Sequence, residues 1–138
     1  MPARRIPPGG TRGTVYRAVA RLRQQDALGL LRQRRYNGSI YLAGYAIECH
    51  LKFAICHRKE HLYLPAKFEV HDWDRLVNAA GLLPEIKTQR NMAGLYFALV
   101  DRWGPALRYR TAAYSAGEGE HLFNEMNQLY MFLNELVP

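Results

Sequence analysis

Acidic residues are nearly missing from the first quarter of this chain: residues 1–36 hold one, Asp26, against nine arginines and no lysine. The other 102 residues hold ten Lys or Arg and eleven Asp or Glu, so the net charge of +7 belongs to that quarter alone. Cysteine is scarce as well. Cys49 and Cys56 lie seven apart on one helical stretch, and two turns of helix set them ~10 Å apart, too far for a disulfide. They read as buried, reduced thiols, which predicts a cytoplasmic protein. No apolar run approaches the length of a membrane span, and the N-terminus shows no signal-peptide core, so a soluble chain with no membrane partner is expected. Convincing strand patterns, internal repeats and low-complexity blocks are also lacking. Hydrophobic residues make up 49% of the chain, which excludes bulk disorder.

What is present fits one domain of 138 residues with a substantial core. Residues 1–13 carry three prolines and three glycines without an apolar period and read as a flexible basic arm. A first helix is expected from Thr14 as N-cap, with Val15, Val19 and Leu22 inward and a break or kink near Gly29. Asn37, Gly38 and Ser39 mark the approach to a long central helix. His71-Asp72 begins a short helix that stops at Gly81. A further helix is expected from about Pro84 to Trp103, with Ile86, Ala93, Phe97 and Val100 on one side and Gly104-Pro105 ending it. Residues 107–117 read as an irregular loop, and a last helix spans Glu118 to Leu136. The fold class is all-α, an up-and-down bundle of four or five helices over residues 14–138.

The central helix, Tyr36 to Arg58, is apolar on almost every side, as a helix at the middle of a bundle must be. Glu48 and Lys52 sit four apart within it. At 100° per residue, Tyr41, Tyr45, Glu48 and Lys52 fall within about 60° of one another and form one polar stripe. Charges inside such a helix need partners. They are either a structural pair or part of a site.

The run Y-L-A-G-Y-A-I-E-C-H-L-K, then H-D-W-D-R-L, then Arg108-Tyr109 ahead of a final amphipathic helix, resembles HEPN domains over roughly residues 14–138. Tyr41, Gly44, Glu48 and Lys52 occupy the family's central-helix pattern, and Trp73 stands where its H-D-L motif has leucine. The resemblance implies a HEPN-like homodimer from a prokaryotic toxin–antitoxin or defence-type system. Members of that family are metal-independent endoribonucleases, or inactive relatives that bind nucleic acid or a nucleotidyltransferase partner. The active members carry Arg and His separated by four to six residues, for phosphate grip and proton transfer. That motif is absent here: Arg58 precedes His61 with two residues between, and Arg110 precedes His121 with ten.

A single polar cleft is therefore expected from Tyr41, Tyr45, Glu48, Lys52, His71, Asp72, Arg108, Tyr109 and Arg110, with no cofactor. Asp72 also suits a helix start, beside the positive end of the helix dipole. In the Arg108–Arg110 loop, arginine and tyrosine planes can stack on bases while guanidinium groups hold phosphate; the alternative is a lid in which Tyr109 plugs the bundle end. His50 and His57 lack a third ligand, so no metal site is expected. The expected function is RNA or nucleotidyltransferase binding without catalysis. An endoribonuclease pairing Arg108 or Arg110 with His71 or His121, and a plain scaffold, stand as alternatives.

Overall fold

A computed structural model describes residues 10–138. Residues 1–9 of the expected arm lie outside the described residues. Those that follow are tied down: the Leu64 amide donates to the Thr11 carbonyl at 3.0 Å, and the Gly13 amide to Leu62 at 3.1 Å.

Six α-helices and no strand form the described residues: α1 (Gly13–Arg32), α2 (Tyr36–Arg58), α3 (Trp73–Ala79), α4 (Leu83–Thr88), α5 (Arg90–Val100) and α6 (Ala116–Leu136). No helix among them is long and apolar enough to cross a membrane. The chain is an all-α helical bundle, with α2 at its centre. From Ala46 to Cys56 every residue of α2 is buried.

α1 and α2 form an antiparallel hairpin, because Gly13 meets Cys56 at one end while Ser39 Oγ donates to the Ala27 carbonyl at 2.7 Å near the other. The seam on α1 is Gly13, Ala20 and Ala27, seven apart and all buried. A β-carbon on Gly13 would lie 2.6 Å from Cys56 Cβ, so the two backbones approach closely there. This close seam corrects the expected inward face. Val15 and Leu22 point outward, 45% and 51% exposed, and Val19 is only partly buried. Nor does α1 break at Gly29. It runs unbroken to Arg32, after a start at Gly13 with Arg12, rather than Thr14, as N-cap. The turn falls at 33–35, where Arg34 takes a left-handed backbone, φ +59°.

α6 runs parallel to α2: Tyr36 packs on Gly119, and His50 reaches the Leu133 carbonyl. α5 is antiparallel to both, with Met92 beside Phe132 at one end and Trp103, just past α5, against Tyr41 at the other. The four longest helices thus alternate up and down. The single helix expected over 84–103 is instead two, α4 and α5, hinged at an extended Gln89 (φ −109°, ψ 102°). Thr88 Oγ1 donates back to the Glu85 carbonyl at 2.7 Å, a local bond that competes with helix continuation. The hinge lets Ile86 face the core from α4 while α5 turns Tyr96 and Leu99 inward; Phe97 is left 49% exposed.

Candidate functional site

Glu48 is fully buried in the middle of α2, and both of its carboxylate oxygens are engaged. Lys52 Nζ donates to Oε2 at 3.0 Å from one turn further along, and His71 Nδ1 donates to Oε1 at 2.8 Å from the approach to α3. The Lys52 ammonium also lies over the Tyr16 ring, 5.6 Å from its centroid, so α1 closes the cluster from a third side. Burial raises the Tyr16 hydroxyl pKa above its ordinary value, against the pull of a bond to Thr11 and of Lys52. The His71 side chain is 53% exposed while its carboxylate partner is 1% exposed. A buried acid therefore fixes a half-exposed imidazole through Nδ1, an arrangement that orients the ring for proton transfer through Nε2. Asp72 does not join them. Its side chain caps α3 by accepting from the Asp74 amide at 3.0 Å.

Tyr41 and Tyr45 continue along α2 as a pair of nearly parallel rings, 6.5 Å apart with 9° between their planes. Trp103 stacks on Tyr41 and on Trp73, and its indole donates to the Tyr41 carbonyl at 3.1 Å. Gly44 permits this: a β-carbon there would fall 2.1 Å from the Trp103 ring. Burial, together with the Cys49 thiol beside it, pushes the Tyr45 hydroxyl up to about 12. Cys49 is itself pushed up to about 11, chiefly by burial, and stays a protonated, poor nucleophile at neutral pH.

Arg108, Tyr109 and Arg110 belong to a different part of the molecule. A 3-10 turn, Pro105–Tyr109, leads into a loop that Asn37 at the start of α2 pins in place. Asn37 Nδ2 donates to the carbonyls of Arg110 (3.3 Å) and Ala112 (3.1 Å), and the Tyr114 amide donates to its Oδ1 at 3.0 Å. Arg108 lies over the Tyr109 ring at 5.3 Å, and Arg110 over the Tyr114 ring at 4.0 Å. Tyr109 is 76% exposed, so it plugs nothing. Beside this loop the α1–α2 turn exposes Arg32, Arg34 and Arg35. Between turn and loop lies a cleft of about 550 Å³ walled by Leu30, Tyr36, Gly38 and Tyr114, with Arg34 and Arg35 among its lining.

The nine expected residues therefore separate. Glu48, Lys52 and His71 form a cluster, Tyr41 and Tyr45 an aromatic pair one turn away, and Arg108, Tyr109 and Arg110 an arginine–tyrosine end. No hydrogen bond or ion pair among the described residues joins the cluster to that end. Two contributors carried no chemical signal in the sequence. Tyr16 resembled any helix aromatic, and Asn37 resembled turn punctuation; only the pairing of distant segments gives them roles. His50 is buried, donating from Nε2 to the Leu133 carbonyl at 3.2 Å, and His57 lies against Phe53. Among the described residues no three His, Cys, Asp or Glu side chains gather as metal ligands would.

Fold and site together define a helical bundle with one charged cluster at its centre and one basic, aromatic end. Comparison with protein-family models, curated proteins and solved structures finds no match for the chain.

Proposed function

We propose that this chain is a HEPN-like module of a prokaryotic toxin–antitoxin or defence-type system, and that it binds single-stranded RNA at its arginine–tyrosine end without cleaving it. The observation that carries this reading is the pair of guanidinium–tyrosine stacks, Arg108 on Tyr109 and Arg110 on Tyr114, next to the exposed Arg32, Arg34 and Arg35. Unstacked bases are held by such aromatic and guanidinium planes, and phosphates by the remaining arginine donors. The test is fluorescence anisotropy with a labelled single-stranded RNA. Arg108→Glu/Arg110→Glu is expected to weaken binding at least tenfold while the melting temperature holds. Unchanged affinity would place the RNA contacts elsewhere, and no affinity in the parent chain would move the function to a protein partner such as a nucleotidyltransferase.

A second reading, an atypical metal-independent endoribonuclease, is favoured by the Glu48–His71 bond, which holds a half-exposed imidazole in one orientation. Arg108 and Arg110, the arginines expected for it, lie in a different part of the molecule from His71. His121, the other candidate base, is exposed and pairs with Glu125 at 3.1 Å. Incubating cellular RNA with the purified protein and no added metal decides between the two readings. Defined fragments that vanish in a His71→Ala/His121→Ala variant would establish cleavage, and intact RNA in both samples would leave the binding role.

A further inference from the structure

The cleft at the α1–α2 turn has a chemistry more specific than a basic surface. Its volume of about 550 Å³ falls within the range of small-molecule sites, about 300–1,000 Å³. Leu30 and Gly38 line it side by side: a β-carbon on Gly38 would come within 3.1 Å of Leu30 Cδ1. Tyr114 forms an aromatic wall, and its loop is held by three hydrogen bonds to Asn37. Arg34 and Arg35 supply the charge, and neither forms an ion pair among the described residues. The acid nearest in the bonding pattern is Glu120, which accepts from the Tyr36 hydroxyl at 3.4 Å.

Arg34 is placed by the end of α1. Its left-handed φ of +59° closes that helix, with the Arg35 amide donating to the Leu30 carbonyl and the Arg34 amide to the Leu31 carbonyl, both at 2.9 Å, a cap that glycine would serve equally well.

We infer that this cleft is a nucleotide pocket. It takes one unstacked nucleotide, the base over Leu30, Gly38 and Tyr114 and the phosphate between the Arg34 and Arg35 guanidiniums. The inference deepens the RNA-binding reading, and rests on it for the source of the nucleotide, as a unit of a strand. The same chemistry would hold a free nucleoside monophosphate.

The test titrates the full chain with AMP, adenosine and inorganic phosphate by calorimetry, and with a labelled six-nucleotide single-stranded RNA by anisotropy. Two variants act on the cleft. Arg34→Gly removes a guanidinium while suiting the left-handed backbone, and Ala113→Trp fills the space from an exposed loop position. Arg108→Glu alters the neighbouring surface. AMP is expected to bind at one site, more tightly than adenosine or phosphate, and to lose at least tenfold in affinity in Arg34→Gly, whose melting temperature should not fall. Ala113→Trp should abolish AMP binding. Displacement of the RNA by AMP identifies a strand nucleotide as the occupant; AMP binding that RNA does not contest identifies a free nucleotide. AMP binding no tighter than phosphate, or unmoved by both cleft variants, overturns the pocket. If the RNA then still binds and responds to Arg108→Glu, the RNA-binding reading survives without the pocket. If AMP fills the cleft and no RNA binds, the pocket survives and that reading falls.

Discussion

At the scale of single residues, the chain's most exposed energetic commitment is Glu48. Its carboxylate is the shared partner of Lys52 and His71 in a place water does not reach. Removing one member of a buried ion pair is far costlier than replacing the whole pair, because the remaining charge stays desolvated and alone. Glu48→Ala is expected to lower the unfolding free energy by about 3 kcal/mol, measured by urea denaturation. Glu48→Met/Lys52→Met should recover most of that loss. His50 makes a different commitment. Burial lowers its pKa below the ordinary value, the nearby Arg17 and Arg21 lower it further, and the Leu133 and Val137 backbone bonds oppose the shift. The folded chain therefore holds this imidazole neutral, while the unfolded chain protonates it below about pH 6.5. The stability due to this histidine is complete above that pH and is lost as pH falls toward the lowered folded value. Urea midpoints at pH 7.5 and 5.5 should differ less in His50→Gln than in the parent.

Helices, the next scale, show which parts of the fold the sequence made legible. The extent of α2, Tyr36 to Arg58, could be read because a helix apolar all round has only one place to go, although Asn37, Gly38 and Ser39, read as punctuation ahead of it, lie inside its first turn. The start of α3 was legible too, since Asp72 is a cap by chemistry and a cap in fact. The facing of α1 was not. Periodicity assigns the large residues Val15 and Leu22 to the core, but contact with α2 is made through Gly13, Ala20 and Ala27, where only small side chains let the backbones close up. The hinge at Gln89 was equally hidden, because Thr88-Gln89-Arg90 holds neither proline nor glycine. The candidate site was half legible. The Glu48–Lys52 pair follows from helical spacing, whereas the cleft depends on Asn37 gripping residues more than seventy positions away. Gly44 gives this scale its prediction. Gly44→Ala places a β-carbon 2.1 Å from the Trp103 ring, so that indole must shift off α2. A loss of about 1–3 kcal/mol is expected from the overpacking, read by thermal melts, with RNA affinity falling alongside.

For the whole molecule, charge is what distinguishes one end from the rest. Nine arginines lie within the first 36 residues, and two of them, Arg34 and Arg35 at the α1–α2 turn, line a cleft with Tyr114, whose ring carries Arg110 from the far side of the sequence. A ligand that is a polyanion must displace counterions to bind there. RNA affinity is expected to fall linearly with salt on logarithmic axes. The slope should flatten by about 0.7 for each arginine converted to glutamine, the value for single strands. A slope that ignores the turn arginines would place the contacts elsewhere.

The stacking of Trp73 on Trp103, 5.4 Å between centroids, also makes the protein its own optical probe. These are its two tryptophans, so the whole indole emission arises from a single spot where α3, the segment after α5 and α2 converge. Helix content, read in the far ultraviolet, averages instead over the entire bundle. If the chain melts as one cooperative unit, the two signals trace a single curve. If the segment from Trp103 to the arginine–tyrosine loop loosens first, emission will shift while the helices stay intact. The temperature gap between the curves then measures how independently the ligand-facing end can open.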